Sequence, residues 1–141
     1  MNITLEFLQQ EEACDYGIRL FKIAKETNVI KLCEKAINKK RLDCAFWLIY
    51  YFVTDIIYIQ KLNLYVLFLI NKYNNTYYNE LRPILLGEKS TGELSITRTR
   101  AETILNLFRD FKELNKDEKF IKLAQEGFAI MQSNLAKCKD F

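Results

Sequence analysis

The residue types that most often move protons or bind metals are sparse in this chain. None of its 141 residues is histidine. Imidazole-based general catalysis and the Ser-His-Asp or Cys-His nucleophiles are therefore absent. Carboxylates adjoin at Glu11-Glu12 and Asp117-Glu118. Neighbouring residues on a helix point in different directions, so acids favoured by the positive end of a helix dipole explain them better than a paired acid–base site. Gly87–Gly92 (GEKSTG) holds a Lys-Ser-Thr run. It lacks the spacing and the preceding strand of a phosphate-binding loop, and reads as a flexible turn. Cys14, Cys33, Cys44 and Cys138 form no Cys-x-x-Cys pair. A zinc site would need them to converge from distant elements. Their apolar neighbours instead suggest buried, reduced thiols. No cofactor, metal or catalytic residue is implied.

Charge is the stronger signal. The net charge is only +3, but Gly17–Arg41 carries eight basic and two acidic side chains, while Met1–Tyr16 carries four acids and no base. Lys35, Lys39, Lys40 and Arg41 are the densest basic set, with Arg98 and Arg100 as candidate second contributors. Such cations suit phosphate, an acidic protein surface, or simply water at a helix end. No polar face groups Asn, Gln and Arg as a base-reading helix would. Tyrosine pairs a large apolar area with a polar tip and is favoured at interfaces. Among the core-proximal tyrosines, Tyr77 and Tyr78 beside the turn are the ones expected at a surface.

The elements that would position these groups read as helices. Four glycines and one proline in 141 residues leave long uninterrupted segments. Thr4 can cap a first helix, whose apolar spacing runs through Ala13, Gly17, Leu20, Phe21 and Ala24. Val29–Asn38 is amphipathic, with Asn28 before it and Lys39-Lys40-Arg41 at its negative end. Leu42–Thr54 is apolar at eleven of thirteen positions and holds the single tryptophan, Trp47. That is apolarity on nearly every side, which means burial on several sides. Asp55–Asn74 has the same character and is expected to complete a central hairpin. Tyr77–Leu86 follows, containing Pro83, with a start or kink expected near Arg82. The last two helices carry stripes at Ala101–Leu114 and Phe120–Leu135. The short connection at Asn115–Asp117 predicts antiparallel neighbours.

These readings predict one all-α domain over residues 1–141, a bundle of six or seven helices around a buried central hairpin, with loop 87–92 ahead of a C-terminal hairpin. A chain of this length can bury a core without metal or disulfide support. The longest charge-free runs fall short of the roughly 20 apolar residues a membrane span needs. No basic leader is evident at the acidic N-terminus, so the default expectation is cytoplasmic and away from the membrane.

A set of short motifs resembles small helical proteins of toxin-immunity loci and phage genomes. They are Thr4-Leu5 leading the first helix, Ala13-Cys14 before an apolar stretch to Phe21, and Cys33 ahead of Lys40-Arg41-Leu42-Asp43. Phe46-Trp47-Leu48-Ile49 and Arg82-Pro83-Ile84 complete the set. The chain departs from that group at Cys44, where tryptophan usually follows the aspartate, and it lacks an alanine-rich tail. The resemblance implies an all-helical, non-enzymatic protein that blocks another protein. The expected function is a protein-binding inhibitor, either an immunity protein or an anti-defence (for example anti-CRISPR-type) protein of a phage or mobile element. It would act by steric occlusion through Lys35, Lys39, Lys40, Arg41, Tyr77, Tyr78, Arg98 and Arg100. A nucleic-acid-associated protein and an assembly module are the alternatives. Oligomeric state is left open.

Overall fold

The computed structural model describes residues 2–13, 15–73, 78–87 and 96–139, with side-chain environments for all of these but Tyr16 and 135–139. Among the described residues it is an all-α bundle of eight helices with no strand. The helices are α1 (Leu5–Gln10), α2 (Asp15–Ala24), α3 (Val29–Asn38), α4 (Leu42–Phe52), α5 (Ile56–Tyr73), α6 (Tyr78–Leu85), α7 (Ile96–Asp110) and α8 (Glu118–Lys139), with a 3-10 turn at Lys112–Lys116 before α8.

The N-terminal segment forms two helices where one was expected. Thr4 caps α1 by accepting from the Phe7 N–H at 3.1 Å. The helix stops at Glu11 because Glu12 takes a left-handed conformation (φ 56°). Glu12 N–H then donates to the Gln9 carbonyl at 3.2 Å and Ala13 N–H to the Leu8 carbonyl at 2.8 Å. This is a Schellman closure built on glutamate instead of glycine, so no residue type announces it. Lys40 (φ 58°) closes α3 the same way, with Lys40 N–H on Ile37 O and Arg41 N–H on Ala36 O. Asn28 caps α3 as the sequence suggests, accepting from the Lys31 N–H at 3.1 Å.

The start of α4 is capped from far away. Arg41 contributes no side-chain cap; the Leu42 N–H instead donates to Asn115 Oδ1 at 3.1 Å. From there Leu42 and Ala45 through Tyr50 are all buried, Trp47 among them at 6 % exposure. Phe46 lies 5.2 Å from Phe120 and 6.1 Å from Phe108 between ring centroids. The backbones that come closest to α4 are those of α7, α3 and α8. The expected α7–α8 hairpin is accordingly modified. The 3-10 turn, with Leu114 buried, redirects the chain, and both helices approach α4 more closely than each other.

Helix α5 meets the core through Ile59, Leu62, Val66, Leu67, Leu69 and Ile70, and it also buries Tyr58, Asn63 and Tyr65, whose hydroxyl and amide groups must find partners. Tyr50 Oη donates to Asn63 Oδ1 at 2.7 Å, and Asn63 Nδ2 to the Leu85 carbonyl at 3.0 Å. Tyr58 Oη donates to the Leu123 carbonyl at 2.6 Å. Tyr65 Oη sits 2.8 and 2.9 Å from the two oxygens of Asp117, which also caps α8 through the Phe120 N–H. Burial raises the hydroxyl pKa values of all three tyrosines above the ordinary phenol range. Tyr50, Tyr58 and Tyr65 are therefore internal ties and not part of a docking surface.

A candidate partner-binding cleft

Helix α2 has an apolar side but does not sink it. No α2 side chain with a described environment is fully buried. Its backbone comes close to α1 and to no other helix as closely. Between its inner face (Gly17, Leu20, Phe21, Ala24) and the wall of α3 and α4 (Leu32, Ala36, Cys44, Trp47, Leu48) lies an apolar cleft of about 120 Å³. Ile3 and Leu8 contribute to its lining, with Leu105 reaching in from α7.

The rim of this cleft is basic. Among the described residues, Lys35, Lys39 and Arg41 are its only charged lining residues, and no carboxylate is among them. Lys35 lies in the last turn of α3 and Lys39 is its C-terminal cap, so the i, i+4 spacing places both ammonium groups along the same edge. Lys35 and Lys39 are exposed and make no ion pair among the described residues. Arg41 follows the Schellman turn and is held by Asp43 through a two-pronged contact of 3.1 and 2.8 Å. Its guanidinium is thus oriented and partly neutralised, while the two lysines are exposed to solvent. The backbone N–H of Asn28, with help from Lys31 and Lys35, holds the Glu26 carboxyl below its usual range.

The other residues singled out from the sequence do not join this edge. Lys40 is exposed at the left-handed corner and does not line the cleft. Arg98 is turned to the end of α1, donating to the Gln10 carbonyl at 3.0 Å and to Glu11 at 3.2 Å. Glu11 also accepts from Tyr51 Oη at 3.1 Å. Burial, reinforced by that carboxylate, pushes the Tyr51 hydroxyl up to about 12. Arg100 donates Nε and Nη2 to the Leu85 carbonyl at 3.0 and 2.8 Å. There it meets the negative end of α6, and burial lowers its pKa. These two arginines fasten α7 to α1 and α6, which no local pattern could show because their partners lie 15 to 88 residues away. Tyr78, expected at the surface, is half-buried against the core. Tyr77 and residues 88–92 of the expected loop lie outside the described residues.

Two features escaped the sequence reading. One is the cleft itself, whose signal was an amphipathic α2 with more apolar surface than its neighbours cover. The other is a solvent-facing stripe on α5, read as apolar all round. Ile57, Leu64 and Phe68 share one helical face and are 81 %, 58 % and 59 % exposed. Of the thiols, Cys33 is buried as expected, and desolvation pushes it up to about 12, whereas Cys44 departs from expectation and is half-buried at the cleft wall. Cys14 and the side chain of Cys138 lie outside the described set. Among the described residues no cluster of metal-binding side chains occurs, and no helix is long and apolar enough to cross a membrane.

No protein-family model matches the chain, and no curated protein or solved structure matches it.

Proposed function

We propose that this protein is a small non-enzymatic inhibitor that binds another protein and occludes its working surface, in the manner of an immunity protein or an anti-defence protein of a phage or mobile element. The observation that carries this reading is the coincidence of two unspent resources in one place. An apolar cleft lies open beside exposed Lys35 and Lys39. Protein interfaces take their energy from apolar anchors seated in pockets and their orientation and encounter rate from charge. A phosphate backbone uses the charge alone. Cys44, where the immunity-locus pattern has tryptophan, stands at the wall of the cleft, so the departure from that pattern coincides with the space. Affinity capture from a host lysate tests the proposal. A stoichiometric protein partner is expected; recovery of nucleic acid alone, released steeply by salt, would favour the nucleic-acid alternative instead.

A second reading, an assembly module, is favoured by the α5 stripe. Contiguous exposed apolar side chains mark association surfaces more often than isolated ones do. A concentration-dependent sedimentation coefficient that vanishes in Leu64→Glu would support it. A monomer at high concentration would remove it.

A further inference from the structure

We propose that the cleft between α2 and α4 is the docking site for an acidic segment of a partner protein. One bulky apolar side chain of that segment enters between Phe21 and Trp47, and its flanking carboxylates meet Lys35 and Lys39. This rests on the protein-binding reading above and names the chemistry of the partner.

Size decides the first half. The cleft measures about 120 Å³, close to the apolar cavity of roughly 150 Å³ that takes up benzene. That is room for one phenylalanine- or leucine-sized anchor. It is too little for a long acyl chain, so a lipid is not the occupant that fits. Charge decides the second half. Among the described residues the lining has three cations and no acid, so a ligand with carboxylates beside its anchor gains on both counts, and one with lysines there loses. Arg41 is already occupied with Asp43, which leaves Lys35 and Lys39 as the principal contacts.

The third observation is how α2 is mounted. Glu12 (φ 56°) lies just before it and Lys25 (φ 52°) just after it, both left-handed and neither glycine. The helix is therefore set between two sharp turns; Ile18 and Phe21 pack against the core, but no α2 side chain with a described environment is fully buried. Leu20 and Phe21 are half-buried on the cleft side of the helix, so an anchor seated there would cover apolar surface left partly open in the free protein. The occupant would supply the packing that α2 lacks in the free protein.

The test uses the full chain and a fluorescent synthetic peptide of Glu and Asp around a single Phe. Two controls accompany it, one with Ala for Phe and one with Lys for the acids. The acidic Phe peptide is expected to bind about tenfold or more tighter than either control, a difference of ~1.4 kcal/mol. The double variant Lys35→Glu/Lys39→Glu, altered only at exposed positions, should lose that preference and turn toward the Lys-flanked peptide. Cys44→Trp should fill the cleft and abolish binding with the cations intact. Bound peptide should slow Cys44 alkylation, followed by mass spectrometry. If Cys44→Trp fails to fold, the charge-reversed variant and the alkylation readout still decide. Equal affinity for the Phe and Ala peptides, or a duplex oligonucleotide that protects Cys44 better than the acidic peptide, overturns the proposal. The two levels separate in lysate capture. A protein partner retained equally by wild type and the charge-reversed variant removes this docking site and leaves the inhibitor reading standing. Capture of no protein at all removes the inhibitor reading.

Discussion

Gly127 makes the packing of α8 testable with one methyl group. A Cβ built at this position would lie 2.6 Å from Tyr58 Oη, 2.8 Å from Ile49 Cδ1 and 3.0 Å from Tyr58 Cζ. Neither neighbour can easily withdraw. Tyr58 is buried with its hydroxyl fastened to the Leu123 carbonyl at 2.6 Å, and Ile49 is fully buried in α4. On helix propensity alone, Gly127→Ala would stabilise by about 1 kcal/mol. Overpacking a core costs about 1–3 kcal/mol, and two rigid contacts below 3.0 Å belong at the upper end of that range. The net expectation is a loss of about 2 kcal/mol, or roughly 6 °C in Tm for a chain of this size. Urea titration with tryptophan fluorescence measures it. Tyr58→Phe removes the nearest atom and by itself costs about 1 kcal/mol for the lost hydrogen bond. In that background Gly127→Ala should cost about 1 kcal/mol less, a positive coupling in a double-mutant cycle. If Gly127→Ala raised the stability by the amount propensity alone predicts, the close approach of α8 to α4 and α5 would be refuted.

Asn115→Ala removes the distant cap of α4 and should cost about 1 kcal/mol in urea unfolding; an unchanged midpoint would show that Leu42 N–H finds water instead. Lys40→Gly should stabilise by about 0.5–1 kcal/mol, because a left-handed non-glycine residue costs about 1–2 kcal/mol while glycine returns part of that in chain entropy. It should leave peptide binding in the cleft unaltered, since Lys40 does not line it. Tyr50, Tyr51, Tyr58 and Tyr65 all have raised hydroxyl pKa values in the folded chain. For groups shifted this way, the stabilisation is whole below the unfolded phenol value of about 10 and is lost as pH rises above it. For Tyr51 that window closes near 12. Phenolate absorbance should therefore rise in two stages, exposed tyrosines first and the buried set together with loss of helix. A single smooth titration with helix retained would contradict the burial.

Much of the architecture was legible because it depends on local chemistry. The Asn28 cap, the Val29–Asn38 stripe and the Lys39-Lys40-Arg41 end mark α3 with the same residues that hold it in the structure. Trp47 is buried because a segment apolar on nearly every side has nowhere else to go. The break between α1 and α2 was not legible, because Glu12 occupies a position where glycine would have signalled a stop. The 3-10 turn was hidden for a related reason: Phe111 and Leu114 continue the apparent stripe of α7, yet Leu114 is buried from the turn instead. Of the cation set, position along α3 placed Lys35 and Lys39 together, whereas Arg98 and Arg100 looked identical in type and proved to be internal fasteners.

By itself, then, the sequence determined the helical class, the α3 and α4 segments and a concentration of positive charge, since periodicity, capping and side-chain polarity act over a few residues. Tertiary structure alone decided which cations face solvent, which hydroxyls are spent inside, and that α2 stands off from α4 with space between them. Those outcomes depend on which distant side chains meet, and a helix carries no local record of how far away its neighbour will pack.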